Sequence, residues 1–307
     1  MMGDFLMRKL FFMPTSNLTL RNAVLPIGLL LIAMASVQTG ASLAKTLFPI
    51  VGAQGTTALR LIIAAVLMLL ILRPWRLRLD NRTLKHAVLY GVALGGMNFL
   101  FYMAMRSLPL GIAVALEFTG PLTVAIASSR KRIDFLWIGL AVFGLATLIP
   151  INTAQHGVDP LGAAYALGAG ICWAFYIVFG QKAGQGHGVQ MAGLGVLFAA
   201  IAIAPFGVAH AGSALLSWAI LPAAFGVAVL STALPYSLEM VALTRLPART
   251  FGTLMSLEPA VAALSGLVFL HELLSIIQWL AIASIIVASI GATLTQGNTS
   301  NPAVAAD

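Results

Sequence analysis

The chain has few charged residues and almost no cysteine. Its 307 residues include 17 Lys and Arg and 9 Asp and Glu, so 8% are charged while 60% are hydrophobic. A soluble domain carries about 25% charged residues. The shortage therefore excludes ordinary soluble, fibrous and disordered classes. The single cysteine, Cys172, excludes a disulfide framework and a cysteine-based metal cluster. What remains is a polytopic membrane protein.

Long apolar stretches occur along most of the chain. A helix needs about 20 apolar residues to cross a hydrocarbon core of roughly 30 Å. Ten apolar windows of about this length cover residues 24–44, 54–72, 87–105, 108–128, 134–151, 160–180, 189–209, 217–238, 248–270 and 275–294. They are too long and too uniformly apolar for barrel strands. The sequence therefore predicts an all-α bundle of ten transmembrane helices, with tight connections at 106–109 and 271–274.

The basic residues are distributed unevenly between the two sides of this bundle. With the N-terminus in the cytoplasm, 14 of the 17 Lys and Arg fall in cytoplasmic loops and ends. Only Lys45 and Arg106 fall on the outside, and Arg60 lies within a span. The positive-inside rule then places both termini in the cytoplasm. The net charge of +8 thus indicates topology and contact with the lipid bilayer, not a nucleic-acid partner.

The two halves of the chain resemble each other. At an offset of 138 residues, Leu108 aligns with Leu246, Pro109 with Pro247, Pro121 with Pro259 and Asp134 with Glu272. Each half then holds five helices. Because five is odd, the second half crosses in the opposite sense, which is the inverted repeat of many secondary transporters. The predicted units are a cytoplasmic segment at 1–22, repeats at 23–152 and 159–295, and a flexible cytoplasmic tail at 296–307.

Several ionisable residues fall inside or at the ends of these windows, where each costs about 2.5–3.5 kcal/mol on insertion scales. Glu258 lies near the middle of its window with no basic residue at its own depth, which makes it the strongest candidate site. Arg60 and Glu117 lie at similar depth, and either form a mutual salt bridge or present opposite charges to one cavity. Lys45 is near an outer end and can snorkel. Glu239 is near a cytoplasmic end, where an interfacial carboxylate is expected.

Two prolines fall beside these glutamates. A proline inside a helix frees the carbonyl four residues earlier, so Pro121 frees that of Glu117 and Pro259 that of Met255. Membrane helices tolerate this where a cavity or a neighbouring helix satisfies the carbonyl. The sequence predicts a helix kink next to a carboxylate in each half.

This set of charges suits a zwitterionic solute, because a carboxylate needs Arg or Lys and an ammonium needs Glu. A glutamate inside the membrane can also carry a proton, which suits proton-coupled antiport. Interhelical packing would explain any of the remaining polar and aromatic side chains equally well. The residues available to line a pocket are Gln38, Ser42, Asn98, Tyr102, Trp173, Tyr176 and Tyr236.

The motifs of other function classes are missing from the sequence. Lys45-Thr46 lacks the glycines of a phosphate-binding loop, and His271-Glu272 lacks the second histidine of a zinc protease. There is no G-x-S-x-G motif of a serine hydrolase. The sequence predicts a transporter without catalytic residues, metal or cofactor, not an enzyme.

Four strings carry a family resemblance. They are MASVQTGASLAKTLFP (34–49), GGMNFLFY (95–102), PLGIAVALEFTGPL (109–122) and LSTALPYSLEMVALTRLPARTFGTLMSLEPA (230–260). They resemble amino-acid exporters of the EamA family in the drug/metabolite transporter (DMT) superfamily, and the likeness extends over about residues 24–295. It implies ten helices in two EamA repeats, an inner-membrane location, and efflux of threonine and homoserine driven by protons.

Within this reading, Glu258 and Glu117 bind the ammonium group and the proton, and Arg60, assisted by Lys45, binds the carboxylate. The residues leave open an exporter of aromatic or sulfur-containing amino acids or of toxic cations. They also leave open a passive channel or uniporter, and they do not set the oligomeric state.

Overall fold

Helices make up the regular structure of the chain in a computed structural model that describes residues 20–77, 79–127, 132–148, 159–184, 188–245, 251 and 254–295. Residues 1–19 of the predicted N-terminal segment and the predicted tail at 296–307 lie outside the described residues. The α-helices are α1 (Leu20–Leu72), α2 (Asn81–Ala104), α3 (Leu110–Glu117), α4 (Thr119–Ala127), α5 (Asp134–Leu148), α6 (Pro160–Gly184), α7 (Gly188–Ala211), α8 (Leu221–Ala228), α9 (Leu234–Arg245), α10 (Glu258–Leu270) and α11 (Ile276–Thr295).

Six helical stretches among the described residues are long and apolar enough to cross a membrane, one of them, Leu221–Glu239, running from α8 into α9. Three more apolar helices are shorter, at Leu110–Val124, Phe135–Thr147 and Glu258–Leu270. The first two predicted windows lie in a single helix, since α1 has 53 residues. At 1.5 Å per residue a straight helix of that length would measure about 80 Å, more than twice the roughly 30 Å core.

A kink at Gly52 divides α1 into two segments. Gly52 has φ 69° and ψ 171°, a backbone conformation that is essentially restricted to glycine. Pro49 lies three residues earlier and weakens the end of the first segment. The chain therefore passes from the first apolar window to the second within helical residues, without the loop that the gap between the windows suggested.

Helix breaks occur beside the two buried glutamates. α3 ends at Glu117, and α4 begins at Thr119, with Pro121 as its third residue. Glu258 is the first residue of α10 and Pro259 the second, a position where the missing N–H of proline costs no helical hydrogen bond. The predicted window at 108–128 is thus two helices, and the window at 248–270 contains a helix that starts at Glu258.

The predicted window at 217–238 is also interrupted. Between α8 and α9 lies a π turn, Val229–Ala233, in which the Leu234 N–H bonds to the Val229 carbonyl five residues earlier. π turns inside helices are rare and frequently mark functional sites.

Helices of the first half pack on helices of the second half. α1 packs on α7 and α9, α2 on α6 and α7, α3 on α10, and α5 on α11. Glycines allow the closest approaches. A Cβ on Gly95 of α2 would lie 3.2 Å from the Ala199 Cα of α7, and a Cβ on Gly170 of α6 would lie 2.6 Å from the Glu117 carbonyl oxygen.

The distribution of polar and apolar side chains is the reverse of that in a soluble protein. Large apolar residues face outward, with Phe135 77%, Trp218 86% and Leu70 64% exposed. Arg60 is only 4% exposed and Glu258 only 7%. The outer surface is therefore suited to lipid, and the charges lie inside the bundle.

Asp159 fixes the start of α6 outside the membrane-spanning segments. Its carboxylate accepts hydrogen bonds from the Ser107 hydroxyl at 2.6 Å and the Gly162 N–H at 2.9 Å. These bonds lower the pKa of Asp159 below its ordinary value, with the Ser107 bond as the largest cause. The cap joins the α2–α3 connection to the first turn of α6.

Candidate functional site

Arg60, in the second segment of α1, is held by two side chains of α2. Its Nη1 donates to the Tyr102 hydroxyl at 2.8 Å, and its Nη2 donates to Asn98 Oδ1. The guanidinium also lies 4.8 Å from the centre of the Tyr102 ring. Asn98 is itself oriented, because its Nδ2 donates to the Leu94 carbonyl at 2.7 Å. The structure thus brings together three residues that the sequence singled out.

Glu258 is joined to the first segment of α1. The Gln38 Nε2 donates to Glu258 Oε1 at 3.3 Å, which brings two further candidates together. The carboxylate occupies the first turn of α10, where the partial positive charge of the helix N-terminus favours an anion. The second carboxylate oxygen, Oε2, has no hydrogen-bond partner among the residues that the structure describes.

Glu117 is the third buried charge, with 6% of its surface exposed. It lies within electrostatic range of both Glu258 and Arg60. Arg60 and Glu117 do not form the direct salt bridge considered as an alternative, since the only ion pair among the described residues is Lys45–Glu272. Arg60 donates to neutral groups instead, so its positive charge is not neutralised by a contact carboxylate.

Lys45 contacts a different carboxylate. Its Nζ lies 2.5 Å from Glu272 Oε1 and 3.4 Å from the Leu108 carbonyl oxygen. Glu272 Oε2 also accepts a hydrogen bond at 2.7 Å from the Leu110 N–H, the first of α3. The polar contacts of Lys45 are therefore separate from those of Arg60, and Glu272 was not among the predicted site residues.

The three remaining aromatic candidates have different neighbours. Tyr236 of α9 lies close to Arg60 and Asn98. Tyr176 stacks on Tyr90 with ring centres 4.9 Å apart. Trp173 meets Phe118, the residue after Glu117, edge-on at 5.5 Å between ring centres. Of these three, Tyr236 is the one that lies close to Arg60.

Two polar residues have surroundings that the sequence did not predict. Glu239, expected at the membrane interface, is only partly exposed and lies within electrostatic range of Glu258. Thr232, in the π turn, is fully buried and was not a candidate. Its only signal in the sequence was a hydroxyl three residues before Pro235 in an apolar window.

Four buried side-chain atoms in the described part of the chain have no hydrogen-bond partner. They are Gln38 Oε1, Arg60 Nε, Thr232 Oγ1 and Glu258 Oε2. A cavity of about 320 Å³ lies elsewhere, beside the kink of α1, and its described lining includes Gln54, Arg106 and His210 but not Arg60, Glu117 or Glu258. Unpartnered buried polar atoms are costly unless a ligand, ion or water satisfies them.

Proteins of known sequence match most of this chain. It is 59% identical over 271 residues to the Threonine/homoserine exporter RhtA of Salmonella typhimurium (strain LT2), an alignment that covers 88% of this chain and 92% of the relative. The corresponding exporter of Escherichia coli (strain K12) is 57% identical over the same shares. The model of the EamA-like transporter family matches residues 160–294. The chain belongs to the EamA-like transporter family.

As an EamA-like protein, the chain is a multi-pass membrane transporter and not an enzyme. A solved crystal structure with 17% sequence identity aligns with a TM-score of 0.57 and covers 87% of this chain and 96% of that chain. At this identity the likeness concerns the fold alone. The family predicted from the four strings is confirmed.

Proposed function

We propose that this chain exports threonine and homoserine across the bacterial inner membrane in exchange for protons. The observation that carries the proposal is a set of three buried charges, Arg60, Glu117 and Glu258. Both Arg60 and Glu258 lie within electrostatic range of Glu117. Charges inside a membrane protein are rare and typically mark substrate or proton pathways. The choice of substrates is supported by the 59% identity to proteins named as exporters of these amino acids.

The charged residues have complementary roles in this proposal. The guanidinium of Arg60 binds the substrate carboxylate, because it is held in position but not paired with an anion. Glu258 offers its free Oε2 to the ammonium group or to a proton. Glu117 holds the second exchangeable charge. Lys45 assists with the carboxylate once its ion pair with Glu272 opens.

Alternating access between two inverted five-helix repeats is the proposed transport mechanism. If the two segments of α1 are spans one and two, the packed pairs include one with eight, two with seven, three with six, four with nine and five with ten. When each span is replaced by the span five positions later, so that one becomes six and six becomes one, the same five pairs result. An inverted repeat requires this symmetry. The family match at 160–294 supports the same division of the chain.

The proposed orientation has both termini in the cytoplasm. It is supported by the 14 basic residues that the ten-span topology places in the cytoplasm. The unit at 23–152 is then the first repeat and the unit at 159–295 the second.

A Glu258→Gln variant tests the proposed function. We expect threonine efflux from loaded cells to fall about tenfold or more, because the amide removes both the negative charge and the site for the proton. Asp80→Asn is the matched control, since Asp80 caps α2 through the Thr83 N–H and lies outside the charged set. Efflux is measured at equal expression with threonine and homoserine.

Other outcomes would contradict specific parts of the proposal. Wild-type efflux in Glu258→Gln would contradict the site, whereas wild-type protein that moves other metabolites but neither threonine nor homoserine would contradict the substrates. Undiminished flux after collapse of the proton gradient would indicate a passive channel or uniporter.

A further inference from the structure

Thr232 differs from most threonines in the described helices. A threonine hydroxyl in a helix ordinarily bonds to the carbonyl three or four residues earlier. Such bonds occur at Thr39, Thr46, Thr56, Thr57, Thr119, Thr123, Thr147 and Thr293. The Thr232 hydroxyl is fully buried and has no such bond.

The exception lies in the π turn. Thr232 lies within Val229–Ala233, where the backbone bond runs from Leu234 to the Val229 carbonyl five residues earlier. Ser231 in the same turn bonds to the Val227 carbonyl at 2.6 Å, whereas the Thr232 hydroxyl bonds to no carbonyl of its own helix. The hydroxyl is therefore free to bond to a group outside its own helix.

The π turn lies beside both parts of the charged site. On one side the Ser36 hydroxyl bonds to the Leu230 carbonyl at 2.7 Å, so the turn packs on the segment of α1 that also carries Gln38, the partner of Glu258. On the other side Tyr236, one helical turn after Thr232, lies close to Arg60 and Asn98. The π turn thus packs on the helix segment that carries Gln38 and lies one turn before the tyrosine near Arg60.

We propose that the Thr232 hydroxyl, together with Gln38 Oε1, forms a subsite that binds the side-chain hydroxyl of the substrate. This inference rests on the proposed function. Threonine and homoserine both carry a hydroxyl besides their carboxylate and ammonium groups. The Thr232 hydroxyl can donate or accept, and Gln38 Oε1 can accept from the substrate hydroxyl. All four unpartnered atoms are then satisfied by one hydroxyl amino acid. Its carboxylate faces Arg60, its ammonium group faces Glu258, and its hydroxyl faces Thr232 and Gln38.

Such a subsite makes the transporter reject amino acids that lack the hydroxyl. A site that hydrogen-bonds a substrate hydroxyl discriminates against the analogue without it, because the buried polar atoms of the site are left unpaired. The matching analogue is α-aminobutyrate, which is both threonine and homoserine without their hydroxyl groups.

Competing export from proteoliposomes loaded with threonine and α-aminobutyrate tests the subsite. In Thr232→Val, which keeps the shape but removes the hydroxyl, we expect the ratio of threonine to α-aminobutyrate exported to fall about five- to tenfold. Thr232→Ser keeps the hydroxyl and should retain the wild-type ratio. Thr57→Val is the control, because Thr57 is equally buried but bonds to the Ala53 carbonyl. The ratio does not depend on how much protein folds.

The outcomes separate this inference from the proposed function. An unchanged ratio in Thr232→Val, with wild-type protein that exports threonine, would overturn the hydroxyl subsite alone. A ratio lowered equally in Thr57→Val would also overturn it. Wild-type protein that exports neither threonine nor homoserine would overturn the proposed function and the subsite with it.

Discussion

The guanidinium of Arg60 is oriented before any ligand arrives. Asn98 and Tyr102 are four residues apart on α2, so they lie on one face of the helix. Together they accept hydrogen bonds from the two terminal nitrogens of Arg60. Only Nε of this group lacks a partner in the described structure. A cation held in this way loses little conformational freedom when an anion binds, and such preorganisation favours affinity.

Removing one of these contacts should weaken substrate binding. In Tyr102→Phe the ring remains over the guanidinium, but the hydroxyl that accepts from Nη1 is lost. We expect the KM for threonine export to rise about tenfold, because a hydrogen bond to a charged group contributes about 1.5–3 kcal/mol. Tyr165→Phe is the control, since Arg60 donates to the Tyr102 hydroxyl and not to that of Tyr165. An unchanged KM would show that the hydroxyl does not position Arg60.

The sequence identified the buried charges more readily than their partners. Arg60, Glu117 and Glu258 stand out because an ionisable residue in an apolar window carries a large insertion cost. The bonds of Arg60 to Asn98 and Tyr102 depend on how α2 is rotated against α1, which no local pattern encodes. Thr232 could not be distinguished from other helical threonines, because neither its burial nor its unpartnered hydroxyl is encoded in a local pattern.

At the scale of helices, small residues decide how closely neighbours approach. α4 and α6 cross where Gly120 and Gly170 face each other, and Gly170 also lies against the carbonyl of Glu117. This is the carbonyl that Pro121 deprives of its usual helical partner. The glycine pair therefore allows α6 to pack against the break between α3 and α4, next to the buried Glu117.

Adding a methyl group at this crossing should destabilise the protein. In Gly170→Ala the new Cβ would lie 2.6 Å from the Glu117 carbonyl oxygen, a backbone atom that cannot move independently. Overpacking of this kind costs about 1–3 kcal/mol. Gly139→Ala is a matched control on α5, because its Cβ would meet nothing within 4 Å, and alanine favours a helix over glycine. Thermal unfolding in detergent should show a lowered midpoint for Gly170→Ala alone.

The helices were more predictable than the connections between them. Apolar length alone identified windows that all contain helical residues in the described chain. The junction at Gly52 was not predicted, because a glycine among apolar residues does not reveal its φ angle. The interruption at Val229–Ala233 was likewise hidden, since its residues have no sequence feature that distinguishes a π turn from an α-helix.

For the whole molecule, one ion pair connects the two halves of the chain. Lys45 and Glu272 are 227 residues apart, and their side chains are only 26% and 15% exposed. Leaving one partner buried without the other costs more than removing both. The pair is therefore a measurable link between the predicted repeats.

A double-mutant cycle on this pair should give non-additive stabilities. We expect Lys45→Met and Glu272→Gln to lower the free energy of unfolding individually, and the double variant to lose about 1–3 kcal/mol less than their sum. The glutamine keeps an acceptor for the Leu110 N–H. Asp80→Asn with Lys85→Met serves as the control pair, since these residues form no ion pair among the described residues, and should be additive. Additivity at Lys45 and Glu272 would contradict the link.

The overall arrangement could be inferred from the sequence only in outline. The aligned prolines and the count of basic residues predicted two related halves. The contacts between the halves could not be read in advance, because no local pattern shows that Lys45 pairs with Glu272 or that Gln38 reaches Glu258 across 220 residues. Such contacts follow from the packing of helices distant in the chain.

The double use of Glu272 has a consequence for biosynthesis. Its Oε2 accepts from the first N–H of α3, so a helix of the N-terminal half is capped by a residue that is synthesised 162 positions later. While the ribosome is still translating the C-terminal half, that N–H and the ammonium of Lys45 have no carboxylate. The polar contacts of Lys45 and of the first turn of α3 are consequently completed only after residue 272 has been synthesised, so this part of the bundle takes its final arrangement late in assembly.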